Sequence, residues 1–504
     1  MMKNWKSSRR RTFPMLHFAR LACVGLLLLA TSKSLNAAER MIVLTPCARD
    51  VGVAGAECGT LEVYENRDTS EGRRIGLKVV VLPALSNDPK PDPLFMLDGG
   101  PGMPATRMAD GVKAALWRIR EQREIVLVDQ RGTGESNGLH CSGVDSIEIV
   151  GNEYPYEVVR ECMENFDADL SLYTTPIAMD DLDDVREALG YEQINLWGGS
   201  YGTRASLVYL RRHSDRVRSV ILDGVAPTGM RLPLHMGEDA FRSIQLVFDN
   251  CEADADCNAS YPNLREKYQT LLSRLESAPE SIRVPHPRSG LMTDYTIRRN
   301  DAVEQLRTAL YSADATRLLP LIIQHAHDGD YAPLLAQSEH GSEAIAKLAA
   351  GMLFSVLCTE DVRYIDESDL DWIAADSSRR TSIVEIWTKV CESWPKGVLP
   401  AGYHDPVVSD KPVLVLSGEL DPVTPPRWGA MAAEHLSNSL HVVVPGAAHG
   451  TMGYGCVHRL MADFLDRGSV SDLDPSCVEE LGRPMFFRSS TGPRVGVSRE
   501  VGSD

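Results

Sequence analysis

The sequence predicts an α/β protein: a mostly parallel sheet flanked by helices, broken by an inserted, mainly helical stretch. Three observations lead there. Short β-branched runs recur, each followed by a Gly- or Asp-rich turn, as strands buried on both faces require. Helical patterns fall between the runs, which is the alternation of a parallel sheet. The alternation stops near residue 226 and resumes near 405.

The first element precedes the fold. Residues 1–37 carry Lys3, Lys6, Arg9, Arg10, Arg11, Arg20 and Lys33 and no acid. Behind them lies a short apolar run, Leu21–Ala30, and then the small residues Asn36-Ala37-Ala38. A bilayer-spanning helix needs about 20 apolar residues, so the run reads as the core of a secretory signal peptide. Cleavage after it implies an exported protein, periplasmic or extracellular, with no stable membrane insertion. It also takes the chain from a net charge of −18 to −25 by removing seven cations. A chain so acidic, with no basic stripe, is a poor partner for a phosphate backbone, and nucleic acid is excluded as the main ligand.

Strands are expected at Ile75–Leu82, Leu94–Leu97, Ile125–Val128, Ile194–Trp197, Val217–Leu222, Val413–Leu416 and Leu440–Val444. Helices are expected at Ala178–Leu189, Gly202–Arg212, Trp428–Leu436 and Val457–Leu465. The first of these starts with Asp180, Asp181, Asp183 and Asp184, as the positive end of a helix dipole favours. Residues 38–226 and 405–482 therefore form two parts of one core. Residues 227–404, with patterns at Glu266–Leu275, Ala302–Leu310 and Glu343–Leu357, form a helical cap. The tail, 483–504, is Gly-, Ser-, Arg- and Pro-rich without periodicity and is expected to be loose.

Cys23 leaves with the signal, and ten cysteines remain. An even set in an exported chain implies disulfides. The connectivity is not deducible from sequence alone; neighbour pairing, the simplest arrangement because each loop is short, gives Cys47–Cys58, Cys141–Cys162, Cys251–Cys257, Cys358–Cys391 and Cys456–Cys477. Metal-ligand spacing is missing, so no metal is expected. His325-Ala326-His327-Asp328-Gly329-Asp330 holds ligand types but lacks distant partners and reads as a solvated loop. No phosphate-binding loop or dinucleotide fingerprint is present, and no cofactor is expected.

The chemistry begins at Gly198-Gly199-Ser200-Tyr201-Gly202, a Gly-x-Ser-x-Gly motif between a strand and a helix. A turn that tight leaves no room for side chains at Gly198 and Gly202 and strains the serine between them. Ser417-Gly418-Glu419-Leu420-Asp421-Pro422 follows a later strand, and Gly446-Ala447-Ala448-His449-Gly450 follows the last one. Ser, Asp, His is the chain order of an α/β-hydrolase fold. Ser200 is the expected nucleophile, His449 its base, and Asp421 the acid that orients the imidazole. Glu419 and Asp223 also follow strands and are rival acids. Leu97-Asp98-Gly99-Gly100-Pro101-Gly102 follows an early strand, where glycines let backbone amides approach a substrate. The amides of Gly100 and Tyr201 are the expected oxyanion donors.

Three segments make the resemblance specific: Asp98–Gly102, Asp129-Gln130-Arg131-Gly132-Thr133-Gly134-Glu135-Ser136, and Gly198–Gly202. The chain resembles the proline iminopeptidase family of serine peptidases, and most closely its exported bacterial tripeptidyl-aminopeptidase-like branch. Asp421-Pro422-Val423-Thr424-Pro425 and Gly446–Gly450 fit that branch's C-terminal segment. Asp98 departs from the family, whose cytoplasmic members usually carry histidine there. The resemblance implies removal of residues from free peptide N-termini, whereas motif and spacing imply only acyl transfer. A carboxylic-ester hydrolase would use the same triad, and a non-catalytic binding protein would typically have lost one member of it. An ammonium group entering a lined site needs an anion. Glu360, with its neighbour Asp361, is the expected partner, and Glu238 and Asp239 are rivals.

Overall fold

A computed structural model describes residues 41–48, 53–141, 154–287, 289–337, 347–376 and 379–493. The signal segment, residues 338–346 with the first four residues of the third cap pattern, and residues 494–504 of the tail lie outside the described residues. The strands are β1 (Thr45–Pro46), β2 (Glu57–Tyr64), β3 (Arg74–Leu82), β4 (Leu94–Leu97), β5 (Ile125–Val128), β6 (Ile194–Gly199), β7 (Val217–Asp223), β8 (Glu280–Pro285), β9 (Met292–Ile297), β10 (Val413–Gly418) and β11 (Ser439–Val444). Among the described residues, strands β8 and β9 pair only with each other. The other nine form one sheet in the order β1-β2-β3-β5-β4-β6-β7-β10-β11. From β5 to β11 every neighbour is parallel.

All seven expected runs are strands, but Ile75–Leu82 is not a parallel one. It lies in β3, which pairs antiparallel with both β2 and β5. The reason is local: β2 and β3 are joined by a short link and fold back as a hairpin, with Tyr64 opposite Arg74. Strand β2 itself was not foreseen, because Glu57, Thr60 and Glu62 interrupt its apolar residues; only Leu61 and Val63 are buried.

Alternation along the strands divides the interior into two cores. Val79, Val81, Phe95, Leu97, Val126, Val128, Leu196, Val220 and Leu222 belong to one. Val80, Leu82, Leu94, Met96, Ile125, Leu127, Trp197 and Ile221 belong to the other. Helices α1 (Thr175–Ala188) and α2 (Tyr201–Arg212) close the first with Ala178, Leu182, Val185, Ala205 and Val208. Each fully buried aliphatic side chain contributes about 1.5–3 kcal/mol.

Between β7 and β10 the chain forms α3 (Met236–Ala253), α4 (Leu264–Ser277), α5 (Arg299–Ala309), α6 (Leu319–His327), α7 (Ala350–Glu360) and α8 (Ser382–Ser393) among other elements. Helices α3 to α6 share a core of their own around Ile244, Phe248, Leu271, Leu306 and Ile322. The β8–β9 hairpin stands in this same stretch, so it is not purely helical. Helix α9 (Pro426–Ala433) follows β10, and α10 (Val457–Arg467) covers the second sheet face with Val457, Leu460, Met461 and Phe464.

All five neighbour disulfides are present, with Cα–Cα separations from 4.9 Å (Cys47–Cys58) to 6.4 Å (Cys456–Cys477). The start of the tail is a correction to expectation: residues 483–488 are docked. Phe486 is buried in the core of α3 to α6. The Phe487 amide donates to Arg317 O at 3.1 Å, and its carbonyl accepts from Tyr261 Oη at 2.9 Å. A single aromatic anchor holds a segment that has no periodicity to reveal it.

Phe486→Ala is therefore expected to cost about 3 kcal/mol, at the low end for a buried phenylalanine. Urea unfolding checks this. Early cleavage of the variant near residue 483 under limited proteolysis would accompany it.

Candidate active site

The turn from β6 to α2 is set by two glycines. A Cβ at Gly198 would collide with Gly202 O, and one at Gly202 with Leu97 O. Ser200, between them, has φ +54° and ψ −124°. A non-glycine residue held there costs about 1–3 kcal/mol, and persists only where its surroundings over-determine it. They do: the Ser200 amide donates to Asp223 O at 3.0 Å, and the serine abuts the glycine loop after β4, where a Cβ on Gly99 would lie 3.4 Å from Oγ.

Loops after β10 and β11 bring the other two residues together. His449 Nδ1 and Asp421 Oδ2 are 2.8 Å apart. Asp421 is completely buried, and its oxygens also accept from the amides of Val423 and Thr424 and from Thr424 Oγ1, at 2.8–2.9 Å. Burial alone would raise Asp421, but the imidazole and these donors outweigh it and hold the carboxyl below its ordinary range. Burial likewise works against a charged His449, yet Asp421 outweighs it and raises the imidazole above its ordinary value. Chemically this arrangement suits a base whose protonated form is stabilised from behind.

The rival acids take other tasks. Glu419 Oε2 accepts from the Gly446 amide at 2.8 Å, and the Asp223 carboxylate accepts from Thr451 and Met452. Asp239 accepts from Trp428 Nε1 at 2.9 Å and pairs with Arg427, which also reaches Glu238. On the glycine loop after β4, Asp98 pairs with Arg107 through two hydrogen bonds and accepts from the Gly99 amide at 2.7 Å. That leaves Gly100 as the next amide along. Tyr201 is the first residue of α2, whose amide has no intrahelical carbonyl to meet.

Glu360 and Asp361 are not placed as expected. Both are completely buried at the end of α7. Glu360 Oε1 accepts from the Thr175 amide at 2.7 Å, and Oε2 accepts from Thr175 Oγ1 at 2.8 Å and from Tyr403 Oη. Asp361 accepts from Arg204 Nη1 at 2.9 and 2.8 Å and from the Leu232 amide. Every carboxylate oxygen already has protein donors, so an ammonium group would have to displace them. Burial pushes Glu360 up to about 7, with Arg204 opposing. The pair packs the base of the insertion; Thr175 Oγ1 links it to Tyr201 Oη at 2.6 Å. His325 and His327 face Asp330 and Asp328 singly, each at 2.9 Å.

Two residues of the site were missed. Thr424 contacts both Asp421 and His449 Nδ1, the latter at 3.2 Å; an acid followed three residues later by threonine is a local turn signal that could have found it. Tyr311 sets its ring edge against His449, centroids 5.1 Å apart, and its carbonyl accepts the His449 amide. Nothing in the sequence marks Tyr311.

This chain is similar in sequence to known hydrolases and peptidases. A family model described as alpha/beta hydrolase fold matches residues 92–250, and one described as TAP-like protein matches 381–477. Serine protease Hip1 of Mycobacterium tuberculosis is 26% identical across 92% of this chain and 97% of its own length. Tripeptidyl aminopeptidase of Streptomyces lividans is 30% identical over 38% of this chain and 39% of its own. Proline iminopeptidase of Neisseria gonorrhoeae is 30% identical over 28% and 34% respectively.

Two measurements follow from the electrostatics. If His449 serves as base it must be neutral, and its pKa is raised, so the acid limb of kcat/KM is expected above pH 6.5, the ordinary histidine value. A limb at or below that value would contradict the geometry. Glu360 is raised above its unfolded value, so its favourable contribution is complete below pH 4.5 and is lost as pH rises through about 7. Parent and Glu360→Gln stabilities, measured by urea unfolding, are expected to change relative to one another across that window.

Proposed function

We propose, from the premise that this chain belongs to the α/β-hydrolase peptidase family, that it is an exported serine aminopeptidase releasing single residues or short peptides from free N-termini. Ser200 Oγ attacks the scissile carbonyl while His449 takes its proton, and Asp421 holds the imidazole and its positive charge. The tetrahedral oxyanion is met by the amides of Gly100 and Tyr201, each worth about 3 kcal/mol of transition-state stabilisation. His449 then returns the proton to the leaving amine. Water, activated by the same histidine, releases the acyl group from Ser200. No step requires a metal or cofactor.

The observation that carries the N-terminal reading is how the insertion roofs this site. Tyr311 lies against His449 from one side. From another, the Ala349 amide donates to Gly102 O at 3.0 Å, and Leu348 reaches the glycine loop. Ser243 Oγ on α3 donates to Asp421 O at 2.9 Å. A serine covered from several directions accepts a chain end more readily than the middle of a folded polypeptide. The basic, short-cored leader and the five disulfides support export.

Ser200→Ala is expected to remove nearly all hydrolysis and leave the fold intact, a loss on the order of a million-fold, with His449→Ala alike and the pair little worse. A serine-directed phosphonate should label Ser200 alone. Digesting an unbiased peptide mixture and reading products by mass then tests specificity: losses confined to the N-terminal end support the proposal. Internal cuts overturn it, and turnover of simple esters with peptides left whole assigns an ester hydrolase.

A further inference from the structure

Asp223 is the last residue of β7 and is 1% exposed. The three residues before it, Val220, Ile221 and Leu222, are buried and apolar. A carboxylate at the end of such a strand is costly to bury unless specific donors meet it. Among the described residues, the donors to its carboxylate come from one place. Oδ1 accepts from the Thr451 amide at 2.8 Å and from Thr451 Oγ1 at 2.9 Å. Oδ2 accepts from the amides of Thr451 and Met452, both at 2.9 Å. These residues follow His449 by two and three positions.

The main chain of the same residue faces the nucleophile. Asp223 O accepts the Ser200 amide, and so braces the one strained residue of the site. The next residue, Gly224, is wedged under the triad: a Cβ there would lie 3.5 Å from both His449 Cε1 and Asp421 Oδ2. Asp223 thus touches the nucleophile turn through its carbonyl and the histidine loop through its carboxylate. It makes no bond to His449 Nδ1, which belongs to Asp421 and Thr424.

We propose that Asp223 is a positioning residue that locks the nucleophile turn and the histidine loop into one rigid unit and sets a second negative charge behind the imidazole. The assignment rests on reading Ser200, Asp421 and His449 as the catalytic triad. An error of about 1 Å between nucleophile and base is enough to cost roughly a hundredfold in rate, so a loop that bears the base needs such a tether. The charge acts in the same direction as Asp421: it favours the imidazolium formed when Ser200 gives up its proton. Facing the imidazole are Asp421 and Thr424 from the loop after β10, Asp223 from β7, Tyr311 beyond α5, and Arg307 on α5, whose charge opposes the other two. Burial pushes Asp223 up to about 6 against the pull of its donors, so the second charge is present at neutral pH and fades below it.

The test measures the rate at which a fluorophosphonate labels Ser200 as a function of pH, together with kcat and KM on a small neutral ester. Asp223→Asn removes the charge and turns an NH2 group toward backbone donors. It is expected to slow labelling and kcat by about ten- to a hundredfold with KM within about twofold, and to move the acid limb to lower pH. Loss of structure alone would not move that limb. Thr451→Val removes one donor and keeps the backbone bonds, so it reports even if Asp223→Asn does not fold. It is expected to slow labelling about two- to fivefold, with Thr451→Ser restoring the rate. If the parent is labelled at Ser200 and the Asp223→Asn and Thr451→Val proteins match it in rate and limb, the Asp223 assignment is overturned and the triad stands. If Asp223→Asn does not fold, Thr451→Val matching the parent overturns it alone. If the parent is labelled at another serine, the triad reading fails and takes the Asp223 assignment with it.

Discussion

Everything at the site depends on a steric constraint, the absence of room for a Cβ at Gly198 and Gly202. That vacancy lets α2 start so close to β6 that the Gly202 backbone lies against Leu97 O, at the end of the neighbouring strand β4. The oxyanion loop leaves β4 at that point, so nucleophile and loop glycines meet because two strands are adjacent and parallel. The strain at Ser200 is a consequence of the closeness, and the sheet resists relaxation because its strands are packed on both faces. A helix dipole adds to the arrangement: α2 starts at Tyr201 and presents its unpaired amides toward the place where negative charge would develop.

Buried carboxylates around this turn differ by what meets them. Asp421 faces an imidazole and three further donors, and stays ionised. Asp223 has donors but no direct cationic partner and rises to about 6; Glu360, with Arg204 beyond its reach as a hydrogen-bond donor, rises to about 7. The acid best suited to stabilise an imidazolium is therefore the one whose negative charge the fold sustains most firmly. The other two hold their charge less firmly, and their hydrogen bonds join separate pieces of chain: Asp223 to the histidine loop, and Glu360 to Thr175 and Tyr403.

Most of this was legible where local sequence dictates local structure. The parallel strands could be read because burial on both faces makes them continuous apolar runs, and Gly198 to Gly202 because only glycine fits. Asp421 and His449 are marked by their place after strands. Strand β2 was not legible, since Glu57, Thr60 and Glu62 break its apolar character and its partner, not its composition, makes it a strand. Glu360 was misread for a related reason. An acid after an apolar helix looks free to meet a ligand's ammonium group, and only the meeting of Thr175, Tyr201 and Tyr403 in space shows that it is enclosed. Tyr311 and the docking of Phe486 depend on contacts between distant segments and leave no local pattern.

Disulfides complete the constraint by fixing the segments the sheet does not reach. Cys456 follows His449 closely and opens α10, and its bond to Cys477 ties that junction to the chain leading into the docked residues 483–488. Arg483 in turn lies against Gly446, at the start of the histidine loop. The loop is thus held from Asp223 beneath, from Tyr311 above and from the Cys456–Cys477 segment beside it. Cys358–Cys391 does the same for the insertion, joining α7 to α8 next to Glu360. Each such bond contributes about 2–4 kcal/mol, largely by restricting the unfolded chain. Their placement matters more than that sum, because two of the five bonds sit where the insertion and the histidine loop must keep a fixed distance from a strained serine that cannot move to meet them.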